Sequence, residues 1–297
     1  KSIIMCAFNY FSGRAPGNVS KYARGMDYHT VVRDKLAALC TRLEADIGAF
    51  AHYIFCDTSP LCDKYLAYQA GLGIFGRNHL LIHPVYGSYI FLGGIVTDLP
   101  LAADAPLQGG CTGCGRCAAA CPGQAFAHGF DAARCASYLL QKKGALSEEE
   151  QAVVKRAGMA WGCDICSDVC PHNVSVPVTD IEEFRPTLYD LRPDGLRADA
   201  AFRTEYGGHA FAWRGRKTLC SVCAAALLWR APRPMPPPPS AAAHRQSGAG
   251  AAAARSKTPA PPPQTSADVG TRPALLRPAR PRSRGIRPPC RCGRFRR

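Results

Sequence analysis

The chain has 297 residues, 47% of them hydrophobic and 20% charged, enough apolar content for a sizeable core in one large domain or two modest ones. Its formal net charge is +15, but residues 231–297 carry 14 Lys or Arg against the single acid Asp268, so the body before them is almost neutral and the charge alone does not make it a nucleic-acid binder. Seven of the sixteen cysteines crowd into two tight runs, which argues against a disulfide-stapled secreted miniature, and no stretch approaches the roughly 18 apolar residues of a membrane span, so a soluble cytoplasmic protein is expected.

The first residues, Ile3-Ile4-Met5, already read as a strand interior, and further residues are expected to precede Lys1. Val32, Leu36, Leu39, Leu43 and Ile47 recur at helical spacing, and a short apolar strand follows at 53–56. Asp57 closes that strand. Ser59 is the expected N-cap and Pro60 the first residue of a helix ending at Gly71. Two strands are expected at 80–82 and 89–96, joined by a turn at 84–87. Asp131 and Ser147 read as further N-caps, the second in a capping box with Glu150. Residues 231–297 hold 15 of the 25 prolines, a four-proline run and almost no apolar periodicity. Such a tail cannot bury enough to offset its ordering entropy and is expected to be disordered; its Arg-, Pro- and Ala-rich text is also what GC-rich DNA yields out of frame.

Cys111, Cys114, Cys117 and Cys121, followed by Pro122, form the C-x2-C-x2-C-x3-C-P run of bacterial two-cluster ferredoxins. In that run three thiolates hold one [4Fe-4S] cube and the fourth holds the other. A second run, Cys163, Cys166, Cys170 and Pro171, ends the same way but lacks a first cysteine, which Cys135 can supply. The expected pairing is therefore Cys111, Cys114, Cys117 and Cys170 around one cluster, and Cys121, Cys135, Cys163 and Cys166 around the second. A pair of zinc sites would use two separated C-x2-C pairs and leaves the 111–121 run unexplained. Cys6, Cys40, Cys56 and Cys62 lie among apolar residues and read as buried small side chains, and the lone Cys220/Cys223 pair is not needed. Cross-ligated clusters lie close together and relay single electrons, which requires an acceptor.

Several stretches identify that acceptor by resemblance: V-S-K-Y-A-R-G-M-D-Y-H at 19–29, D-T-S-P at 57–60, A-G-L-G-I-F-G-R-N at 70–78, G-S-Y-I-F-L-G at 87–93, R-C-A-S-Y at 134–138 and G-C-D-I-C-S-D-V-C-P at 162–171. Over residues 2–219 the chain resembles the epoxyqueuosine reductases, cobalamin and iron–sulfur enzymes of queuosine synthesis in tRNA. The resemblance implies an α+β fold: a nitroreductase-like cobalamin-binding domain at 1–105, a ferredoxin-like module with two [4Fe-4S] clusters at 106–178 and a helical remnant at 179–230, after which composition alone gives the disordered tail at 231–297. It implies Asp57 as the proton donor to the epoxide oxygen, and a carboxyl beside apolar residues is expected to keep its proton near neutral pH. It also implies corrin contacts at Ser20, Leu81, Val96, Ser137, Asp164 and Ile165, and tRNA phosphate contacts at Lys142 and Lys143. Asp27-Tyr28-His29 begins like the D-x-H-x-x-G cobalt-ligand motif, but position 32 is Val, so His29 is expected to be structural or substrate-facing. Partners implied are the tRNA and an electron donor of unspecified identity, with the chain a monomer. After Leu219 the family's Arg-Asn pair is replaced by Cys220-Ser221-Val222-Cys223, and the helical end departs from the pattern. Two other readings use the same cysteines: a corrinoid reductive dehalogenase, expected to carry a twin-arginine leader, and a polyferredoxin, to which Asp57 and the hundred residues before the clusters would be superfluous.

Overall fold

Strand propensity and alternation place β1 at Ser2–Asn9, with Ile4, Cys6 and Phe8 on one face and Met5 on the other. The computed structural model describes residues 1–192, 196 and 198–227, so the expectations for 231–297 lie outside the described residues. Helix α1 (Tyr28–Ile47) follows, with Asp27 as N-cap accepting from the His29 N–H, and then β2 (His52–Phe55) and α2 (Asp63–Gln69). A two-stranded ribbon, β3 (Ile74–Phe75) with β4 (Leu81–Ile82), precedes β5 (Ile90–Thr97).

The main sheet is antiparallel with order β1-β5-β2, so the last strand in sequence is central. Its two faces are buried differently. Phe91 and Ile95 meet Val31, Val32, Leu36 and Cys40 of α1, whereas Leu92 and Val96 meet Phe55, Met5 and Ala67 on the α2 side. Two consecutive glycines make both approaches close: a Cβ on Gly93 would stand 2.5 Å from the Val32 side chain, and one on Gly94 would stand 2.5 Å from the Phe55 ring.

Beyond the sheet the chain turns to short helices, α3 (Arg116–Ala120), α4 (Ala136–Leu139), α5 (Glu148–Ala157) and α6 (Ile165–Asp168). Ser147 and Glu150 form the expected capping box on α5, and Asp131 caps a single 3-10 turn. Helices α7 (Asp199–Tyr206) and α8 (Arg216–Leu227) end the described part. One core joins these regions: Val19 and Ala23 pack with Trp161, Leu191, Phe202, Phe211 and Leu219, so the segment after the cysteines closes back onto the segment before α1.

Three sequence expectations are corrected. Ser59 and Pro60 do not open α2; Cys62 is its N-cap, and the Asp63 carboxylate accepts the Asp57 N–H, which folds 57–62 into a loop. The strands at 81–82 and 90–97 do not pair with each other, because β5 is filled by β1 and β2 while β4 takes β3; only His83 and Gly87 bridge within the turn between them. Ile47, expected on the buried stripe of α1, is 58% exposed at the helix end, whereas Leu39 is partly buried against the sheet.

Candidate functional site

The thiols gather in the two expected sets. Cys111, Cys114, Cys117 and Cys170 line one recess, although Cys170 lies 53 or more residues further along the chain. The other wall is the β3–β4 turn, Gly76, Arg77 and Asn78, and the Arg77 N–H donates to Cys111 Sγ at 3.4 Å. Asn78 Oδ1 is occupied by the Leu80 N–H, which leaves the buried Nδ2 of Asn78 without a partner among the described residues. A spare donor beside four thiols suits a cluster with inorganic sulfide, which accepts N–H hydrogen bonds. In the second set, burial pushes the Cys163 thiol up to about 12, with Cys135 and Cys121 adding their influence, and Cys166 is raised by burial and by the same neighbours. No group of three or more His, Cys, Asp or Glu among the described residues is gathered tightly enough for a single metal ion. The β3–β4 turn was not read as part of this site; the G-R-N signal was present, but nothing in it points to Cys111.

Asp57 stands just past β2 with φ +58°, a left-handed conformation that Asp tolerates better than most residues. Its side chain is 64% exposed. Tyr28 Oη donates to Asp57 Oδ2 at 2.7 Å, and His29 Nε2 lies 3.4 Å from the same oxygen. On the other side of the ring, His29 Nδ1 bonds Asp27 Oδ1 at 2.7 Å. The hydrogen bond to His29 holds the Asp57 carboxyl below the usual carboxylate range, with Tyr28 reinforcing it against burial. Burial opposes charge on His29, but the bonds to Asp27 and Asp57 overcome it and raise the imidazole to about 9. Near neutral pH the proton therefore sits on His29, not on Asp57 as the apolar surroundings had suggested. The first turn of α1 delivers both partners, and their link to Asp57 is invisible in sequence.

A second anchor lies near the clusters. Ser20 Oγ donates to Asp164 Oδ1 at 2.5 Å and the Lys21 N–H to Asp164 Oδ2 at 2.8 Å, while Val19 and Trp161 form a parallel bridge. Gly162 permits this closeness, because at its φ of +65° a Cβ would lie 2.5 Å from the Ser20 Cβ. Tyr22 accepts from Trp161 Nε1 at 2.7 Å, and its hydroxyl is raised chiefly by burial and also by the carboxylates of Asp164 and Asp57. Tyr22 meets Tyr28 edge-on at 6.3 Å, and Tyr28 stacks on Phe91 at 4.3 Å.

The implied corrin residues divide into groups. Ser20 and Asp164 are brought into contact, and Ile165 follows Asp164 at the start of α6. Ser137 is half-buried on α4, two residues after Cys135. Leu81 and Val96 pack with Met5 and Phe55 on the α2 side of the sheet, away from the α1 face that carries Phe91 and Tyr28. Of the two lysines, Lys142 is held bidentately by Glu150 at 2.7 and 2.8 Å, whereas Lys143 is exposed. Arg214, missed in the sequence, bonds the Gln141 carbonyl at 2.6 Å and lies 4.7 Å from the ring of Trp213, itself 64% exposed. A basic and aromatic surface thus borders Lys143.

Two four-thiol sets on an antiparallel-sheet domain define a double [4Fe-4S] protein of α+β architecture, and residues 110–173 match the family model "4Fe-4S double cluster binding domain". Residues 1–58 match the model "Epoxyqueuosine reductase QueG, DUF1730". The chain is 37% identical over 203 residues to an epoxyqueuosine reductase of Synechocystis sp., covering 65% of this chain and 70% of that one. With an epoxyqueuosine reductase of Leadbetterella byssophila it shares 39% identity over 192 residues, 63% of each chain. Its fold is similar to a crystal structure of epoxyqueuosine reductase with an epoxyqueuosine-modified tRNA-Tyr stem loop, with TM-score 0.69, 30% identity, 76% of this chain and 63% of that one covered. The chain belongs to the epoxyqueuosine reductase family. It spans about 60% of the length of several curated relatives it matches. Among the described residues no helix is long and apolar enough to cross a membrane.

Proposed function

We propose that the chain reduces epoxyqueuosine to queuosine at the wobble position of tRNA, in the cytoplasm and as a monomer, on a nitroreductase-like domain that holds cobalamin beside two [4Fe-4S] clusters. The reaction balances as two electrons and two protons in, and one epoxide oxygen out as water. When bound, the clusters pass single electrons and cobalamin supplies the reducing metal centre that meets the modified base. The half-buried rings of Tyr22 and Tyr28, with Ser20 and Ile165, suit a large flat macrocycle of mixed polarity, because they offer aromatic surface that the protein itself leaves partly uncovered.

The chain's own residues handle the proton. Asp57, exposed at the loop tip and hydrogen-bonded to Tyr28, faces outward to the substrate, and the proton held on His29 Nε2 lies one short step behind it. As the C–O bond breaks, the proton held on His29, whose charge Asp27 stabilises, passes by way of the Asp57 carboxylate to the departing oxygen. Lys143, Arg214 and the exposed Trp213 suit phosphate and base contacts at the rim.

The observation that carries this reading is the chain of contacts through Tyr22, which accepts from Trp161 Nε1 just before the Cys163 loop and meets edge-on the Tyr28 ring whose hydroxyl donates to Asp57. The test is anaerobic conversion of epoxyqueuosine to queuosine in an anticodon stem-loop, with reconstituted chain, added cobalamin, an excess of chemical reductant and nucleoside mass detection. Queuosine formation dependent on cobalamin is expected. A chain that holds about eight irons and binds cobalamin yet leaves epoxyqueuosine intact would refute the substrate, and one that binds no cobalamin would favour a simple electron carrier.

A further inference from the structure

The segment that bears Cys163, Cys166 and Cys170 also bears Asp164 and Asp168, and a single lysine from the first domain is buried against both. Lys21 Nζ lies 2.7 and 3.0 Å from the two oxygens of Asp168 and 3.6 Å from Asp164 Oδ2, with only 4% of its side chain exposed. It also sits 5.7 Å from the centre of the Tyr89 ring. Lysine is rarely this buried without a paired charge. Holding the segment in place does not require the ammonium: Asp164 is already pinned by the Ser20 hydroxyl and the Lys21 backbone N–H, and Asp168 accepts from Tyr89 Oη at 2.5 Å. What Lys21 adds is charge. Arg24, also buried and within electrostatic reach of both aspartates, spends its guanidinium on the carbonyls of Val19 and Ala15.

We propose that the buried Lys21 ammonium raises the reduction potential of the cluster pair and so sets how readily the clusters accept an electron. The inference rests on the iron–sulfur reading above. Asp164 follows one ligand of the second thiol set, and Asp168 lies between Cys166 of that set and Cys170 of the other, so the ammonium borders the stretch that serves both. Each thiolate-bound cluster gains a negative charge on reduction, and a fixed cation in a poorly solvated place favours that state, whereas an uncompensated carboxylate opposes it. Water and salt screen such a buried charge weakly.

The experiment is a potentiometric titration, followed by the electron paramagnetic resonance of the reduced clusters, on the full reconstituted chain and three variants with iron measured in each. Lys21→Met should make one-electron reduction at least tenfold less favourable, a shift of about 59 mV to more negative potential. Asp168→Asn should shift it the opposite way, and the double variant should fall between them. Wild-type potentials in an iron-replete Lys21→Met would overturn the proposal. If that variant loses its iron, Asp168→Asn decides: an unchanged or more negative potential there overturns it, and a more positive one supports it. Absence of any cluster signal in the unmodified chain would instead sink the iron–sulfur reading itself, a distinct failure.

Discussion

In the proposed reaction Asp57, Tyr28 and His29 serve chemistry and not assembly, because among the described residues none of them hydrogen-bonds a thiol of the two four-cysteine sets. Asp57→Asn keeps the side-chain shape and the hydrogen bond from Tyr28, and Asn accepts the left-handed backbone at this position at least as readily as Asp. Turnover of the stem-loop should therefore fall by about 10²-fold or more while iron and corrin content stay unchanged. Loss of iron or corrin together with turnover would make Asp57 structural. His29 carries a pH signature. Its folded value, about 9, lies above its ordinary 6.5, so its contribution to stability is fully present below 6.5 and is lost as pH rises through about 9. Thermal unfolding between these limits should show stability falling with pH, and His29→Gln should flatten that slope. The position of Asp57 at the end of a strand was legible in the sequence, but the charge state of its carboxyl was not. Burial predicts a raised carboxyl, and the opposing hydrogen bonds come from residues 28 and 29 positions away that only the fold brings near.

At the scale of elements, β5 shows how tertiary pairing overrides local signals. Its apolar run marks a strand, and Pro84–Gly87 marks a turn, but sequence cannot say that the turn leads away from β4 and into the gap between β1 and β2. The same holds for α2, where Ser59-Pro60 has the chemistry of a cap and Asp63 wins by accepting the Asp57 N–H instead. Gly93 and Gly94, unusual in a central strand, become intelligible once α1 and Phe55 are seen against them. A methyl on Gly94 would also lie 2.8 Å from the Ile4 carbonyl, which is backbone and cannot rotate away. Gly94→Ala should thus destabilise the fold by about 1–3 kcal/mol, read as a lower denaturant midpoint with an unchanged slope. An unaltered midpoint would mean that the sheet relaxes freely at its centre.

Across the whole molecule the grouping of the thiols was legible because the spacing of such cysteines follows the size of a cube, not the surrounding fold. What remained hidden was the charge network beneath it, since Lys21 and Asp168 are 147 residues apart. The pairing makes a counter-intuitive prediction: Cys170→Ala should disturb the cluster held by Cys111, Cys114 and Cys117, whose residues lie 53 or more positions upstream, and spare the one held by Cys163 and Cys166. Iron quantification with the spectra of each cluster distinguishes this from damage confined to sequence neighbours.

The core that packs Val19 and Ala23 against Trp161, Phe202, Phe211 and Leu219 has a consequence during synthesis. The segment that leads into α1 cannot complete its set of apolar partners, from Trp161 to Leu219, until nearly 200 further residues have left the ribosome, and contacts so distant in sequence form slowly. Until then the eight cysteines belong to a chain whose core is still open, and they stand as free thiols exposed to oxidation. Production of intact protein should therefore be limited by the oxygen tension met by the nascent chain, and slowing translation in air should lower the yield of iron-loaded molecules more than the yield of polypeptide.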